Sequence, residues 1–426
     1  MLRRLLARGL VRAGIVTYVF SALTLVANLV TGIVSARALG PSGRGVFVAL
    51  TTVSQLAGLL FAVGVANSLS YYIARRPEDG PRLLTTWTAM LVPLTAVAIA
   101  ISELLLPTIF SGDQQAIDLG RWFMLSIVLV VGLELNYGLL LGMHDFLVYN
   151  VLRFAQAALI AAAFVVLWVA DEMTVENALI AAIVGSTTAM AAGLARSVVR
   201  VGVGRFDLRL GATSLWYGAR GQGSTVATNV TARLDVAMLP AFVTNANVGL
   251  YSVAANLSLI VHQLSNTFAG LVLPAAASDP ERGRIKVIGS LWGSLVVAGA
   301  LAAVLALFAR PLIGLVYGDS FRDAAEPLLL LLPGVVLFAG SSILAAGVYA
   351  AGRPFTATFA QLLGMAVTVV GLFVFLRSGG ITAAAIVSTV SYATVFVAML
   401  IAYKRVSDTP WSSFVPSPAR LRGLLT

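Results

Sequence analysis

The chain contains no cysteine, two histidines and only 11% charged residues in 426. Without cysteine there can be no disulfide, thiol nucleophile or cysteine-ligated metal. Two histidines and scattered carboxylates leave too little for a hydrolytic metal site, and we assign no metal-binding residue. No Walker motif, nucleophile elbow, metal-ligand spacing or paired acidic motif occurs. The chain is therefore read as a non-enzyme with no cofactor, and ATP-driven chemistry within it is excluded. No hydrophilic stretch is large enough to fold as a separate soluble domain. Acidic residues are also scarce, 18 against 28 Lys and Arg, for a net charge of +10. That excess is not a nucleic-acid footprint, because it lies in short connections between apolar runs, where it serves orientation and anionic headgroups.

What is abundant is apolar surface: 59% hydrophobic residues and a mean hydropathy of +0.94. A soluble domain carries about 25% charged residues, so this is an integral membrane protein. Twelve apolar stretches reach the roughly 20 residues that a spanning helix needs. They cover 13–36, 45–73, 83–106, 120–142, 146–170, 175–198, 214–242, 248–276, 286–309, 325–350, 355–376 and 381–403. Arg3, Arg4, Arg8 and Arg12 before the first run imitate a signal peptide. The run from Ala13 to Ala36 is too long for one and has no evident cleavage site. The expected fold class is an all-α polytopic membrane protein of about twelve transmembrane helices.

An even number of crossings puts both termini and the loops after spans 2, 4, 6, 8 and 10 on one side. That side holds 19 Lys and Arg, among them Arg75, Arg76, Arg82, Arg196 and Arg200; the other holds 6, including Arg37 and Arg44. By the positive-inside rule both termini are cytoplasmic, and the expected location is the plasma (inner) membrane. The longest non-apolar connection, Arg200 to Thr213, divides the spans six and six. The expected organisation is an N-terminal lobe 1–203, a cytoplasmic linker 204–213, a C-terminal lobe 214–404 and a cytoplasmic tail 405–426. The halves share a weak echo. Ala36 to Leu50 after span 1 and Leu239 to Ala254 after span 7 each place a short turn before Gly, an aromatic two residues on, and a new span. Duplicated halves are a transporter habit, although any two apolar hairpins share some likeness.

The seventh span, Ser214 to Phe242, is the unusual one. It carries Arg220, Arg233 and Asp235, and an ionisable group deep in a bilayer costs at least ~2.5–3.5 kcal/mol unless it faces a bundle interior or wet cavity. At about 100° per residue, Arg220, Ser224, Thr228, Thr231 and Asp235 form one stripe and Gln222, Asn229 and Arg233 another. Neither stripe suits lipid. Arg220 either enters the cavity or snorkels to headgroups. Arg233 and Asp235, two apart, point to opposite sides, so their partners are expected on other helices.

Other polar residues fall near span centres: Asn28, Gln55, Glu134, Asn136, Gln156, Asn256, His262, Gln263, Asn266 and Gln361. The amides serve as interhelical glue or as substrate contacts. Glu134 is either an H+ or Na+ site or the carboxylate that neutralises an arginine. His262 either titrates with coupled protons or is a hydrogen-bonded packing residue. Arg220, Arg233 and Arg153 suit an anionic substrate, since guanidinium pairs bidentately with phosphate or carboxylate. Trp216, Tyr217, Tyr251, Tyr137 and Tyr149 could stack on sugars, but lie near span ends, where belt anchoring explains them.

The segment from Ala36 to Leu50, and Arg233-Leu-Asp235 through Gly249-Leu-Tyr-Ser-Val-Ala254, resemble the multidrug/oligosaccharidyl-lipid/polysaccharide (MOP) exporter superfamily, in particular Wzx-like polysaccharide flippases. The layout of spans matches over nearly the whole chain. The resemblance implies a MATE-like transporter: two six-helix lobes in a V, alternating access and a central cationic cavity. Its implied cargo is a polyprenyl-diphosphate-linked oligosaccharide, moved from the cytoplasmic to the outer leaflet for cell-surface polysaccharide synthesis. Implied partners are that lipid, membrane lipids and polysaccharide polymerase or export machinery. Arg233, Arg220, Asn229, Asn28, His262 and Arg153 are the expected cavity residues. Asp235 and Glu134 are the expected ion-coupling or charge-balancing ones. Twelve spans rather than fourteen argue against the related lipid II flippases. The competing reading is a cation-coupled multidrug exporter of the same architecture, for which acidic residues should dominate the cavity. A polymerase or ligase would need a long outward loop, and the longest here is about Arg310 to Glu326.

Overall fold

The computed structural model describes residues 2–110, 112–277 and 280–414. The first element, α1 (Leu2–Phe61), is two helices merged across a break at Gly40, which sits at φ 64° and ψ −177°. A side chain is strained there and glycine is not. The fully buried Arg44 shows that the chain folds back at this point. Its guanidinium donates to the Gly32 carbonyl and, at 2.9 Å, to Ser35 Oγ. Twelve residues along a straight helix would separate Arg44 from Gly32 by ~18 Å. Arg44 is thus an internal brace of the first hairpin, not the solvated loop charge expected from sequence.

The first half continues through α2 (Val65–Arg75), α3 (Gly80–Ile109), α4 (Gln114–Phe123), α5 (Ile127–Gly142), α6 (Phe146–Val169) and α7 (Val175–Val201). The second comprises α8 (Leu208–Met238), α9 (Asn245–Ala277), α10 (Pro280–Leu307), α11 (Ala309–Tyr317), α12 (Ala325–Ala350) and α13 (Pro354–Ser407). α13 is again a merged pair, broken at Gly380. Among the described residues, eight helices or continuous helix runs are long and apolar enough to cross a membrane. Two of them, 46 and 54 residues long, have the length of two crossings each. α8, rich in polar residues, does not qualify on hydropathy. With α8 and α9 counted as helices of 31 and 33 residues, the chain is an all-α multi-pass membrane protein of about twelve crossings, as expected. The connection after span 9 is itself helical, formed by α11 and a 3-10 helix at Asp319–Ala324.

The chain divides into two compact units, Met1–Gln222 and Gly223–Thr426, so the boundary falls within α8. In the first unit α1 packs on α6, α2 on α5, and α7 on both α5 and α6. The loops after α2, α5 and α7 gather at one face. Arg196 pairs with Asp145 at 2.7 Å. The Gly204 amide donates to the Pro81 carbonyl and Thr85 Oγ1, each at 3.1 Å, and the Asp207 amide to Thr86 Oγ1 at 2.9 Å. The stretch between α7 and α8 is thereby pinned to the start of α3.

In the second unit α12 is the central helix, packed on α9, α10 and α13. Small residues let it approach closely, as is usual where hydrophobicity alone cannot hold helices together in lipid. A Cβ on Gly334 would lie 2.6 Å from Thr389 Cα, and one on Gly347 2.5 Å from the Tyr403 ring.

Candidate functional site

α8 changes character along its length. Its first half is tied into the first unit. Ser68 Oγ donates to the Ser214 carbonyl at 2.8 Å, and Trp87 Nε1 to Ser214 Oγ at 3.0 Å. Gln222 Nε2 reaches the Leu59 carbonyl at 3.2 Å. Gly64 and Gly218 cross backbone to backbone: a Cβ on Gly218 would lie 2.7 Å from the carbonyl oxygens of both Gly64 and Val63. Arg220, on this half, is exposed and its guanidinium lies over the Trp216 ring at 4.7 Å.

The second half of α8 holds the charged pair. Asp235 is 1% exposed, and its carboxylate is fully occupied. Oδ2 accepts from the Tyr251 hydroxyl on α9 at 2.5 Å and from Ser388 Oγ on α13 at 2.9 Å, while Oδ1 accepts from the Val236 amide at 2.7 Å. A buried carboxylate needs such donors, because an uncompensated one is strongly unfavourable. Arg233 is half-buried and makes no hydrogen bond or ion pair among the described residues; Asp235 and the Tyr392 hydroxyl act on it electrostatically. The guanidinium donors, which recognise phosphate well, are therefore uncommitted. Asn229 lies one turn before it and donates to its own helix, at the Thr225 carbonyl, 2.9 Å. Ser224 Oγ contacts the Tyr349 hydroxyl at 3.0 Å.

Around this pair runs a column of rings. His262 is buried and stacks on Phe338 at 4.3 Å, and Phe338 stacks on Tyr392 at 4.6 Å. His262 thus sits in an aromatic packing arrangement. Asn266, expected near the same depth, lies where side chains are outside the described residues.

The first unit has its own polar cluster. Glu134 and Tyr137 share a face of α5; Tyr149, Arg153 and Gln156 share one of α6. Tyr137 donates to Gln156 Oε1 at 3.1 Å, and Gln156 Nε2 donates to Ser186 Oγ on α7 at 3.0 Å. The Arg153 guanidinium lies 5.4 Å from the Tyr149 ring centre and donates to its hydroxyl at 3.3 Å. Glu134 is half-buried, within electrostatic reach of Arg153, and forms no ion pair with it. Asn28 stands apart, exposed on α1.

The candidates therefore fall into two groups. Glu134 and Arg153 are brought together in the first unit, where Asn28 and Arg220 also lie. Asn229, Arg233, Asp235 and His262 belong to the second. Sequence reasoning missed Ser388 and Tyr392 and assigned Tyr251 to an interfacial belt, whereas Tyr251 is fully buried. The available signal was its place six residues past the start of α9, a helix that also carries polar Ser252 and Asn256. No local pattern links it to Asp235, 16 residues earlier.

Known proteins share this fold. A 21% identical relative, "Probable low-salt glycan biosynthesis flippase Agl15" of Haloferax volcanii, aligns over 84% of this chain and 76% of its own length. Among solved structures, the lipid II flippase MurJ in an inward closed conformation superposes with a TM-score of 0.76 at 14% identity. That match covers 96% of this chain and 91% of the other. An inward-facing multidrug resistance MATE family transporter of the MOP superfamily gives a TM-score of 0.70 at 14% identity, covering 93% and 98%. At such identities these two show the fold. A family model described as "Polysaccharide biosynthesis protein" matches residues 10–278, more than half of the chain. The chain is a member of the polysaccharide biosynthesis protein family, built on the fold of the MOP superfamily.

Proposed function

We propose that this protein is a flippase that moves a polyprenyl-diphosphate-linked oligosaccharide from the cytoplasmic to the outer leaflet of the plasma membrane by alternating access. Its termini are cytoplasmic, on the arginine-rich side. The observation that carries the reading is Arg233, a half-buried guanidinium on a helix too polar for lipid, with no bond to a described residue. An arginine kept in a membrane span without a partner is suited to an anion that arrives and leaves. Asn229 adds polar reach one turn away, and Arg153 is a further half-buried cation within the first unit. Ion coupling is assigned to Glu134, whose carboxylate is the one not locked by hydrogen bonds; Asp235 serves as the fixed counter-charge. Family membership and the named glycan-biosynthesis relative support the substrate class.

The test is the leaflet distribution of polyprenyl-diphosphate-linked sugar in cells with the gene deleted and then restored. Accumulation on the cytoplasmic leaflet, relieved by the parent chain and not by Arg233→Ala, is the expected result. A normal distribution together with altered drug sensitivity would overturn it in favour of a multidrug exporter.

A further inference from the structure

An aromatic and basic cluster lies outside the polar groups above, where the end of α2 meets the start of α8, both in the first unit. Tyr71 and Tyr217 stack with ring centres 4.3 Å apart and planes at 19°. Tyr72 closes on both edge-on, at 5.4 and 5.7 Å. Arg75 donates to the Tyr71 hydroxyl, and its guanidinium lies 5.4 Å from that ring's centre. On α8, Trp216 adjoins Tyr217, and Arg220 covers the Trp216 ring at 4.7 Å. The rings are not core: Trp216 is 62% and Tyr217 39% exposed, and Arg75 and Arg220 are exposed as well.

The geometry is held from below. The Gly64–Gly218 crossing lets the two helices touch backbone to backbone, and the Ser68–Ser214 bond fixes their register. Tyr217 is one residue from the crossing, so its ring leans toward the C-terminal turns of α2, as helical side chains tilt toward their own N-terminus. The cluster lies at the end of α2 that bears Arg75 and Arg76, on the face where the loops after α2, α5 and α7 gather. Belt anchoring does not require a guanidinium bonded to the Tyr71 hydroxyl and a second laid over the Trp216 ring.

We infer that Tyr71, Tyr217, Trp216, Arg75 and Arg220 form a headgroup-loading platform for a prenyl-diphosphate-linked sugar on the arginine-rich side of the membrane. Guanidinium forks suit the diphosphate. Electron-rich ring faces suit the polarised C–H face of a sugar ring. The tail stays in the bilayer beside the cluster. This rests on the flippase reading above, and deepens it by assigning a first contact distinct from Arg233.

The test uses the full chain in lipid nanodiscs, with a farnesyl-diphosphate-linked disaccharide as probe. Farnesyl diphosphate without sugar and discs with or without phosphatidylglycerol are the comparison arms. Tyr217→Ala and Arg220→Ala are each expected to weaken probe binding about tenfold, the size of losing one good contact. Tyr217→Phe, which keeps the stacked ring and folds as the parent, should bind within about twofold. In transport, the half-saturating probe concentration should rise in the alanine variants while the rate at saturation holds; Arg233→Ala should instead lower that rate. Parent-like binding by both alanine variants would overturn the platform. So would equal binding of sugar-free farnesyl diphosphate, or an effect of the variants confined to phosphatidylglycerol, which would make the cluster a lipid anchor. Probe binding through the platform without transport would uphold it and overturn the flippase reading.

Discussion

The Tyr251 hydroxyl and the Asp235 carboxylate meet at 2.5 Å inside the second unit, and Ser388, 153 residues from Asp235, donates to the same oxygen at 2.9 Å. One buried carboxylate thereby ties α8 to α9 and α13. Asp235→Ala should strand two hydroxyl groups, each costing ~1–3 kcal/mol when left unsatisfied. Asp235→Asn keeps an acceptor and should cost less. Thermal unfolding of the purified protein in detergent should rank them parent, Asn, Ala; a reversed order would remove the tie as a stabilising feature.

Arg233 has the opposite character, a charge with no fixed bond. Arg233→Ala should abolish polymer export while leaving the amount of protein in the membrane unchanged. Arg233→Lys should restore only part, because the planar fork is lost. Export by Arg233→Ala at the parent level would exclude the residue from the mechanism.

Glu134 faces Arg153 without pairing to it. Glu134→Gln should make transport less dependent on the ion gradient, measured in proteoliposomes with imposed H+ or Na+ gradients. If parent and variant respond identically, Glu134 balances the charge of Arg153 instead.

The glycine crossing gives a prediction with its own control. In Gly218→Ala the new Cβ meets two backbone carbonyl oxygens at 2.7 Å, which no rotamer change can relieve. Overpacking of that kind costs ~1–3 kcal/mol. In Gly221→Ala the nearest atom is Asn67 Nδ2 at 3.9 Å, so its unfolding temperature should equal or exceed the parent's, alanine being the better helix former. Equal stability of both variants would refute the crossing.

Arg44 braces the first hairpin, so Arg44→Ala should remove the guanidinium that bridges the Gly32 carbonyl and the Ser35 hydroxyl and lower the unfolding temperature. Because Arg44 is internal, the change should not alter membrane orientation as removal of a loop charge could. Thermal unfolding in detergent checks the first point, and accessibility of a cysteine introduced at a terminus checks the second.

Much of the architecture was legible in the chain because hydropathy acts locally. Twenty apolar residues must form a helix in lipid wherever their partners are, since every backbone group has to be satisfied within the segment. The spans, the all-α class and the oddity of α8 follow from that alone. So does the expectation that Asp235 would find partners on other helices. The identity of those partners was not legible: Tyr251, Ser388 and Tyr392 carry no local mark of their task, and three-dimensional packing alone brings them together. The same holds for Arg44, which reads as a loop charge until the chain folds back at Gly40. Tyr217 likewise reads as an interfacial aromatic until two glycines bring α8 against α2 and its ring onto Tyr71. Sequence by itself determined which segments enter the membrane, because burial in lipid is decided residue by residue. Only the tertiary structure decided which charges are satisfied and which stand open, because hydrogen bonds between helices depend on positions that lie far apart in the chain.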